Sequence, residues 1–418
     1  MGGPVSADLR FPAGFLLGAA TSSHQVEGGN RWNDWWEGEQ DGRLPHKSGD
    51  ACRHYELYEE DFDLAHRWGH NAHRFSIEWS RCEPEAGTWN QREIEHYQAV
   101  VAALRQRGIE PIVTLHHFTN PEWFARRGGW LRGDSVKLFS RYVEKVSQSL
   151  GDSVRYWITT NEPTVFLKRA FLNGRWPPFQ NSWIKATLVL RNLVRAHRSA
   201  YRVLHRHWPE CRVGLSHSSP LIQPCNAERS GDRAAAWLRD LALNRTLLHL
   251  ASGGRRYLDF IGINYYTRTI VRRGTGSARA MLFGQECDAD HHTDRGPVST
   301  CGWEVYPAGL LTTLHRLKTL GLPLLITENG LATDDEELRN SFLIDHLRAV
   351  ARALADGVPV LGYFYWSLLD NFEWDLGMEP RFGLAAVDAQ TQQRHPRPAA
   401  DIFSEICRDH QARSDSSR

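Results

Sequence analysis

Lysine is nearly missing from this chain: it occurs only at positions 47, 137, 145, 168, 185 and 318, and no Lys/Arg run forms a polybasic anchor for an anionic membrane. Net charge is missing as well, since 50 basic against 49 acidic residues leave +1, and no overall field draws in nucleic acid. The seven cysteines (Cys52, Cys82, Cys211, Cys225, Cys287, Cys301 and Cys407) are scattered, without a C-x-x-C pair for zinc or thiol exchange. That pattern reads as a chain of a reducing, cytoplasmic compartment. No stretch approaches the roughly 18 apolar residues of a membrane span, and Met1 to Phe11 lacks the basic-then-apolar order of an export signal. The absence of a G-x-S-x-G elbow, a Walker A loop and a G-x-G-x-x-G loop argues against an esterase of the α/β-hydrolase type, a P-loop NTPase and a dinucleotide enzyme.

What is present is a globular composition, 41% hydrophobic and 24% charged over 418 residues. Eight short apolar runs have strand character: Phe15–Ala20, Asn71–Ile77, Pro111–His116, Arg155–Thr160, Arg212–Ser216, Asp259–Tyr265, Pro323–Thr327 and Val358–Trp366. They are apolar almost throughout rather than alternating, which suits parallel strands buried on both faces. Amphipathic stretches lie between them. One carries Ile94, Tyr97, Val100, Val101 and Leu104 on one face, with Asn90 and Glu93 spaced as a capping box. Repeated βα units without a polar linker predict α/β architecture as a single-domain (β/α)8 TIM barrel over residues 1–410, with 411–418 a disordered tail. Long loops are expected at Gly28–Asp50, Arg175–Trp183 and Arg272–Cys301.

Barrel chemistry gathers at the C-terminal ends of the strands. Those ends carry Gln25, Arg74, His116, His117, Asn161, Glu162, Asn264, Tyr266, Glu328, Trp366, Glu373 and Trp374. Glu162 and Glu328 end the fourth and seventh strands, so they can face each other across the mouth. Two carboxyls so placed divide labour, one giving a proton to a leaving oxygen while the other attacks carbon or activates water. A separation of about 5–5.5 Å means retention and roughly 6.5–9.5 Å means inversion. The plain alternative is that each Glu simply pairs with an arginine. Tyr266 and Arg74 are placed to hold Glu328 ionised and oriented, as a nucleophile requires. Tryptophan is abundant, and indole faces beside Gln, Asn, His and Glu make a carbohydrate pocket in composition. Any one Trp is as easily packing, and Trp68 and Trp157 are read so. Adjacent strand residues point to opposite faces, so only one of His116 and His117 enters the mouth, and neither is read as a metal ligand. Cys287–Asp294 is read as a solvated loop, the myristoylation pattern Met1–Ser6 and the sequon Asn244–Thr246 as chance matches.

The motifs resemble the family 1 glycoside hydrolases, typified by β-glucosidases. F-L-L-G-A-A-T-S-S-H-Q-V-E-G-G (15–29), N-A-H-R-F-S-I-E-W-S-R (71–81), T-L-H-H-F (114–118), T-N-E-P (160–163), G-I-N-Y-Y-T (262–267), G-W-E-V-Y-P (302–307), I-T-E-N-G (326–330) and W-S-L-L-D-N-F-E-W (366–374) follow the family's order. The resemblance implies a (β/α)8 fold and retaining hydrolysis of terminal β-D-glucosyl, galactosyl or fucosyl residues, without metal or cofactor, on a small β-glycoside or oligosaccharide. It implies Glu162 as acid/base and Glu328 as nucleophile, supported by Arg74, Asn264 and Tyr266. Gln25, His117, Asn161, Glu373 and Trp374 match the residues that bind the nonreducing sugar, Trp366 its stacking platform, and Trp303 and Trp130 lie nearer the aglycone. The segment Gly214–Asp259 is shorter than the family's, and His73 and Met378 stand where aromatic residues are usual. Two alternatives stay open, a transglycosylating enzyme and a silent sugar-binding relative.

Overall fold

The computed structural model describes residues 9–276, 278–287 and 295–416. Each of the eight apolar runs overlaps one strand, with ends that agree to within two residues: β1 (Leu16–Ala20), β2 (Ala72–Ser76), β3 (Glu110–Thr114), β4 (Tyr156–Asn161), β5 (Arg212–Ser218), β6 (Phe260–Asn264), β7 (Leu324–Asn329) and β8 (Val360–Trp366). All pair in parallel with their sequence neighbours, and β1 pairs with β8 to close a barrel. β2, β6 and β7 are buried along their whole length, so the predicted continuous hydrophobicity has its cause in helices outside and packed side chains inside.

Two apolar layers hold the barrel. The inner one stacks Ala20, Ala72, Ile112, Ile158, Phe260, Leu325 and Phe364, one from each of seven strands, beneath Trp366 and Phe382. β5 contributes Gly214 at this level, because a Cβ there would lie 2.6 Å from the Phe260 ring. The glycine makes room for that phenylalanine ring. The outer layer joins the strands to the helices, among them Gln91–Gln106, Ser135–Leu150, Trp183–His207 and Glu336–Ala355, through one continuous core.

Three local expectations change. Asn90 does precede a helix, but its side chain makes no cap, and Glu93 accepts a hydrogen bond from Tyr55 Oη at 3.0 Å instead. A tertiary partner has outcompeted the local one. Residues 411–416, expected as a disordered tail, continue the helix Pro398–Ser416. The helix is anchored by buried Phe403, Ile406, Cys407 and His410, and its last turns by Gln411 Nε2, which donates to Gly69 O at 3.0 Å. The loop Gly28–Asp50 contains a helix, Asp34–Gln40, started by Asn33 Oδ1 accepting from Trp36 N at 2.8 Å. Residues 1–6, with the myristoylation pattern, and 288–294, most of the solvated-loop reading, lie outside the described residues. Among those described, no helix is long and apolar enough to cross a membrane.

Candidate active site

At the C-terminal mouth of the barrel lies a cavity of about 340 Å³ whose wall includes Gln25, His117, Glu162, Asn264, Tyr266, Trp303, Glu328, Trp366, Glu373 and Trp374. Arg74 and Asn161, both buried, stand behind this wall and organise it.

Arg74, the middle residue of β2, is the central tie. Its Nη1 donates to Glu328 Oε1 at 2.5 Å and to Thr327 O at 3.1 Å, Nη2 to Asn161 Oδ1 at 2.8 Å, and Nε to Thr114 Oγ1 at 3.1 Å. One guanidinium thereby links β2, β3, β4 and β7. Tyr266 Oη donates to the other Glu328 oxygen at 2.6 Å. Both carboxylate oxygens are thus gripped, one by a cation and one by a phenol, and the group is fixed in orientation. Burial and the Glu328 charge push the Tyr266 hydroxyl far above its ordinary value, which keeps it a donor.

Glu162 is held differently. It takes a left-handed backbone conformation, φ 44°, at the turn from β4 into the helix opened by Pro163. Its N–H donates to Ser216 O at 2.8 Å on β5. Its Oε1 accepts from Asn264 Nδ2 at 3.0 Å, and Thr327 Oγ1 donating to Asn264 Oδ1 at 2.6 Å fixes which way that amide faces. Of the two carboxyls, Glu328 has an arginine partner and Glu162 a neutral amide. Burial first, and the Glu328 charge second, raise the Glu162 carboxyl well above the ordinary carboxylate range. One carboxyl is thus set to accept and stay oriented, and the other to hold a proton.

The far end of the cavity is built for hydroxyls and a flat apolar face. Gln25 Nε2 donates to Asn371 Oδ1 at 3.0 Å, Phe372 O at 2.9 Å and Glu373 Oε2 at 3.1 Å, and Gln25 Oε1 accepts from Ser22 Oγ at 2.6 Å. His117 accepts from Asn161 Nδ2 at 3.1 Å, leaving Nδ1 without a partner among the described residues. The His117 ring lies nearly parallel to both Trp366 and Trp374, with centroids 6.1 and 6.0 Å away. His116 turns the other way, packing against Trp130, Phe139 and Phe166. Trp303 lies against Tyr266, centroids 5.2 Å apart, on the outer wall. Trp130, expected near the aglycone, is buried behind His116 and donates from Nε1 to Asn120 Oδ1 at 2.8 Å. Its side chain belongs to the core rather than to the cavity wall.

Sequence reasoning missed Thr327 and Asn371, which fix the amides of Asn264 and Gln25. Both sit inside motifs already singled out, one residue before Glu328 and two before Glu373, so the motifs themselves carried the signal.

Burial, then the Glu328 charge, push the Glu373 carboxyl up to about 8. The folded protein therefore keeps a proton there that the unfolded chain releases above about pH 4.3, so this group lowers stability as pH rises between those values. Glu373→Gln removes that loss. We expect the difference in Tm between Glu373→Gln and the parent to grow in favour of the variant from pH 5 to pH 8 in thermal melts, and a pH-independent difference would contradict it.

The family profile described as "Glycosyl hydrolase family 1" matches residues 7–257 and 252–412. A 1,4-beta-D-glucan glucohydrolase of Thermotoga neapolitana is 31% identical, with 96% of this chain and 99% of that protein covered. A beta-galactosidase of Pyrococcus woesei is 30% identical, covering 95% of this chain and 96% of its own length. The solved structure of a beta-glycosidase from Pyrococcus horikoshii superposes with a TM-score of 0.89 at 43% identity, over 96% of each chain.

Proposed function

Because the chain belongs to glycosyl hydrolase family 1, and is a retaining β-glycosidase, we propose that it removes terminal β-D-glucosyl and β-D-galactosyl residues with Glu328 as nucleophile and Glu162 as acid/base. The observation that carries the assignment is the unequal environment of the two carboxyls: Glu328 is gripped by Arg74 and Tyr266, and Glu162 is buried beside a neutral amide. Glu328 attacks the anomeric carbon as the bond to the leaving oxygen breaks, and Glu162 gives that oxygen its proton. Water then attacks the same carbon, Glu162 takes the water's proton, and Glu328 is released. Arg74, Asn264 and Tyr266 position the two carboxyls. Gln25, His117, Asn161, Glu373 and Trp374 bind the sugar's outer hydroxyls, Trp366 stacks on its C–H face, and Trp303 flanks the leaving group.

The test is the first-formed product. Proton NMR during turnover of a phenyl β-glucoside is expected to show the β-anomer of glucose appearing before mutarotation, and first-formed α-anomer would overturn the assignment of Glu328 as nucleophile. Glu373 also gives a prediction on the substrate. A doubly charged group at the sugar's outer hydroxyls would give up its hydration beside Asp375 and a Glu373 carboxyl that burial and the Glu328 charge keep neutral up to about pH 8, neither of which is a cation. We expect kcat/KM for nitrophenyl β-glucoside to exceed that for its 6-phosphate by about two orders of magnitude or more, and the reverse order would overturn this reading of Glu373. The cellular setting we propose is cytoplasmic, supported by seven cysteine thiols of which five are buried.

A further inference from the structure

The seven cysteines are scattered in the sequence, and the fold brings two of them together. Cys225 and Cys287, 62 positions apart, place their sulfurs 2.8 Å from each other. Backbone hydrogen bonds hold them there. A three-stranded sheet has Arg268–Arg272 in its centre, Leu221–Pro224 on one side and Gln285–Glu286 on the other. Cys225 follows the first outer strand and its N–H donates to Val271 O at 2.7 Å, while Cys287 follows the second and its N–H donates to Ile270 O at 2.9 Å. One strand therefore sets both backbones, and the two side chains close the gap that remains. A disulfide holds its sulfurs about 2.05 Å apart, so this pair needs to close by only about 0.8 Å.

The other five thiols are chemically set apart. Burial pushes Cys211 and Cys301 up to about 12, and it raises Cys52, Cys82 and Cys407 as well. Little thiolate, the reactive form, is present at any of the five near neutral pH. Cys225 is partly exposed, which gives a small oxidant a sulfur to reach, and the buried Cys287 is already in contact with it.

We propose that Cys225 and Cys287 are a modification site, joined in an intramolecular disulfide when the protein meets a low-molecular-weight organic disulfide. The Cys225 thiolate attacks one sulfur of that reagent, the first small thiol leaves, and a mixed disulfide remains. The Cys287 thiolate then attacks Cys225 Sγ, and the second small thiol leaves. The protein loses two electrons and two protons, and the two small thiols carry both away. In a reducing compartment the pair stays as thiols, and it oxidises when the surrounding thiol pool does. The ring closed by the bond contains β6 with Asn264, and Tyr266 just beyond it, while Cys287 itself lies in the wall of the catalytic cavity. Cross-linking removes conformations from the unfolded chain, so this segment of the site resists unfolding when oxidised. That benefit to activity rests on the reading of the cavity as a β-glycosidase site, and the bond itself does not.

In the test, the full chain is reduced with dithiothreitol, freed of it, and incubated while folded with hydroxyethyl disulfide. Its intact mass is expected to fall by two hydrogens, and a non-reducing peptide map to join the peptides that carry Cys225 and Cys287. Cys287→Ser is expected to stop at the mixed disulfide on Cys225. Cys225→Ser is expected to form no bridge and to hydrolyse phenyl β-glucoside as the parent does. Near the Tm of the reduced protein, the oxidised parent is expected to keep its activity at least about threefold longer, a gain that dithiothreitol erases and Cys225→Ser lacks. A persistent mixed disulfide on the parent, a bridge to another cysteine, or no loss of hydrogens overturns the site, and a bridge that leaves the heat lifetime unchanged overturns its protective role. Should the parent turn over no β-glycoside, the catalytic reading fails instead, and the bridge and its effect on the thermal melt still decide this proposal.

Discussion

Glu328→Gln is expected to lower kcat on nitrophenyl β-glucoside by roughly 10⁴- to 10⁶-fold, the scale of removing a covalent nucleophile. The variant keeps nearly the shape of the side chain, with the Tyr266 hydroxyl turning to accept from the amide N–H where it had donated to the carboxylate. An amide oxygen can still accept from Arg74, but an amide cannot form the glycosyl ester. The shorter Glu328→Ala opens the space above the Arg74 guanidinium, and azide supplied there is expected to restore turnover and yield the α-glycosyl azide. Steady-state rates, with a thermal melt to show that each variant is folded, check both. A Glu328→Gln rate within about a hundredfold of the parent would sink the assignment, because electrostatic support alone is worth about that much.

Glu162→Ala separates its substrates by leaving group. For alkyl β-glucosides, whose oxygen departs only with a proton, we expect a loss of roughly 10²–10⁴-fold in kcat/KM. For dinitrophenyl β-glucoside, whose phenolate leaves unassisted, the first step should be nearly unaffected, and the remaining loss falls on the water step. The pH profile follows from the raised Glu162 carboxyl. Protonated Glu162 is the active form, so alkyl glucoside turnover falls as pH rises and that proton is lost. The variant should lack this alkaline fall with dinitrophenyl substrate. Equal losses for both leaving groups would show that Glu162 binds or positions rather than transfers a proton.

The strands were legible because burial on both faces leaves an apolar run that needs no partner to be recognised, and β6 and β7 are the clearest cases. The site was legible for a related reason: in a barrel the strand end fixes where a side chain goes, so Glu162, Glu328 and Tyr266 converge although they are far apart in sequence. What the sequence hid are choices between competing partners. Glu93 has a local role available at Asn90 and takes Tyr55 instead. Trp130 follows a barrel strand as the cavity tryptophans do, yet it turns inward to Asn120.

The central claim is that Glu328 becomes covalently bonded to the sugar during turnover. A 2-deoxy-2-fluoro-β-glucosyl fluoride slows both steps while its fluoride still leaves readily, so the intermediate accumulates. Intact-mass measurement after incubation, followed by peptide mapping, is predicted to show one fluoroglucosyl group per chain, on Glu328 and absent from Glu328→Gln. An adduct on Glu162, or none from either the gluco or the galacto reagent with folded protein, would contradict the account.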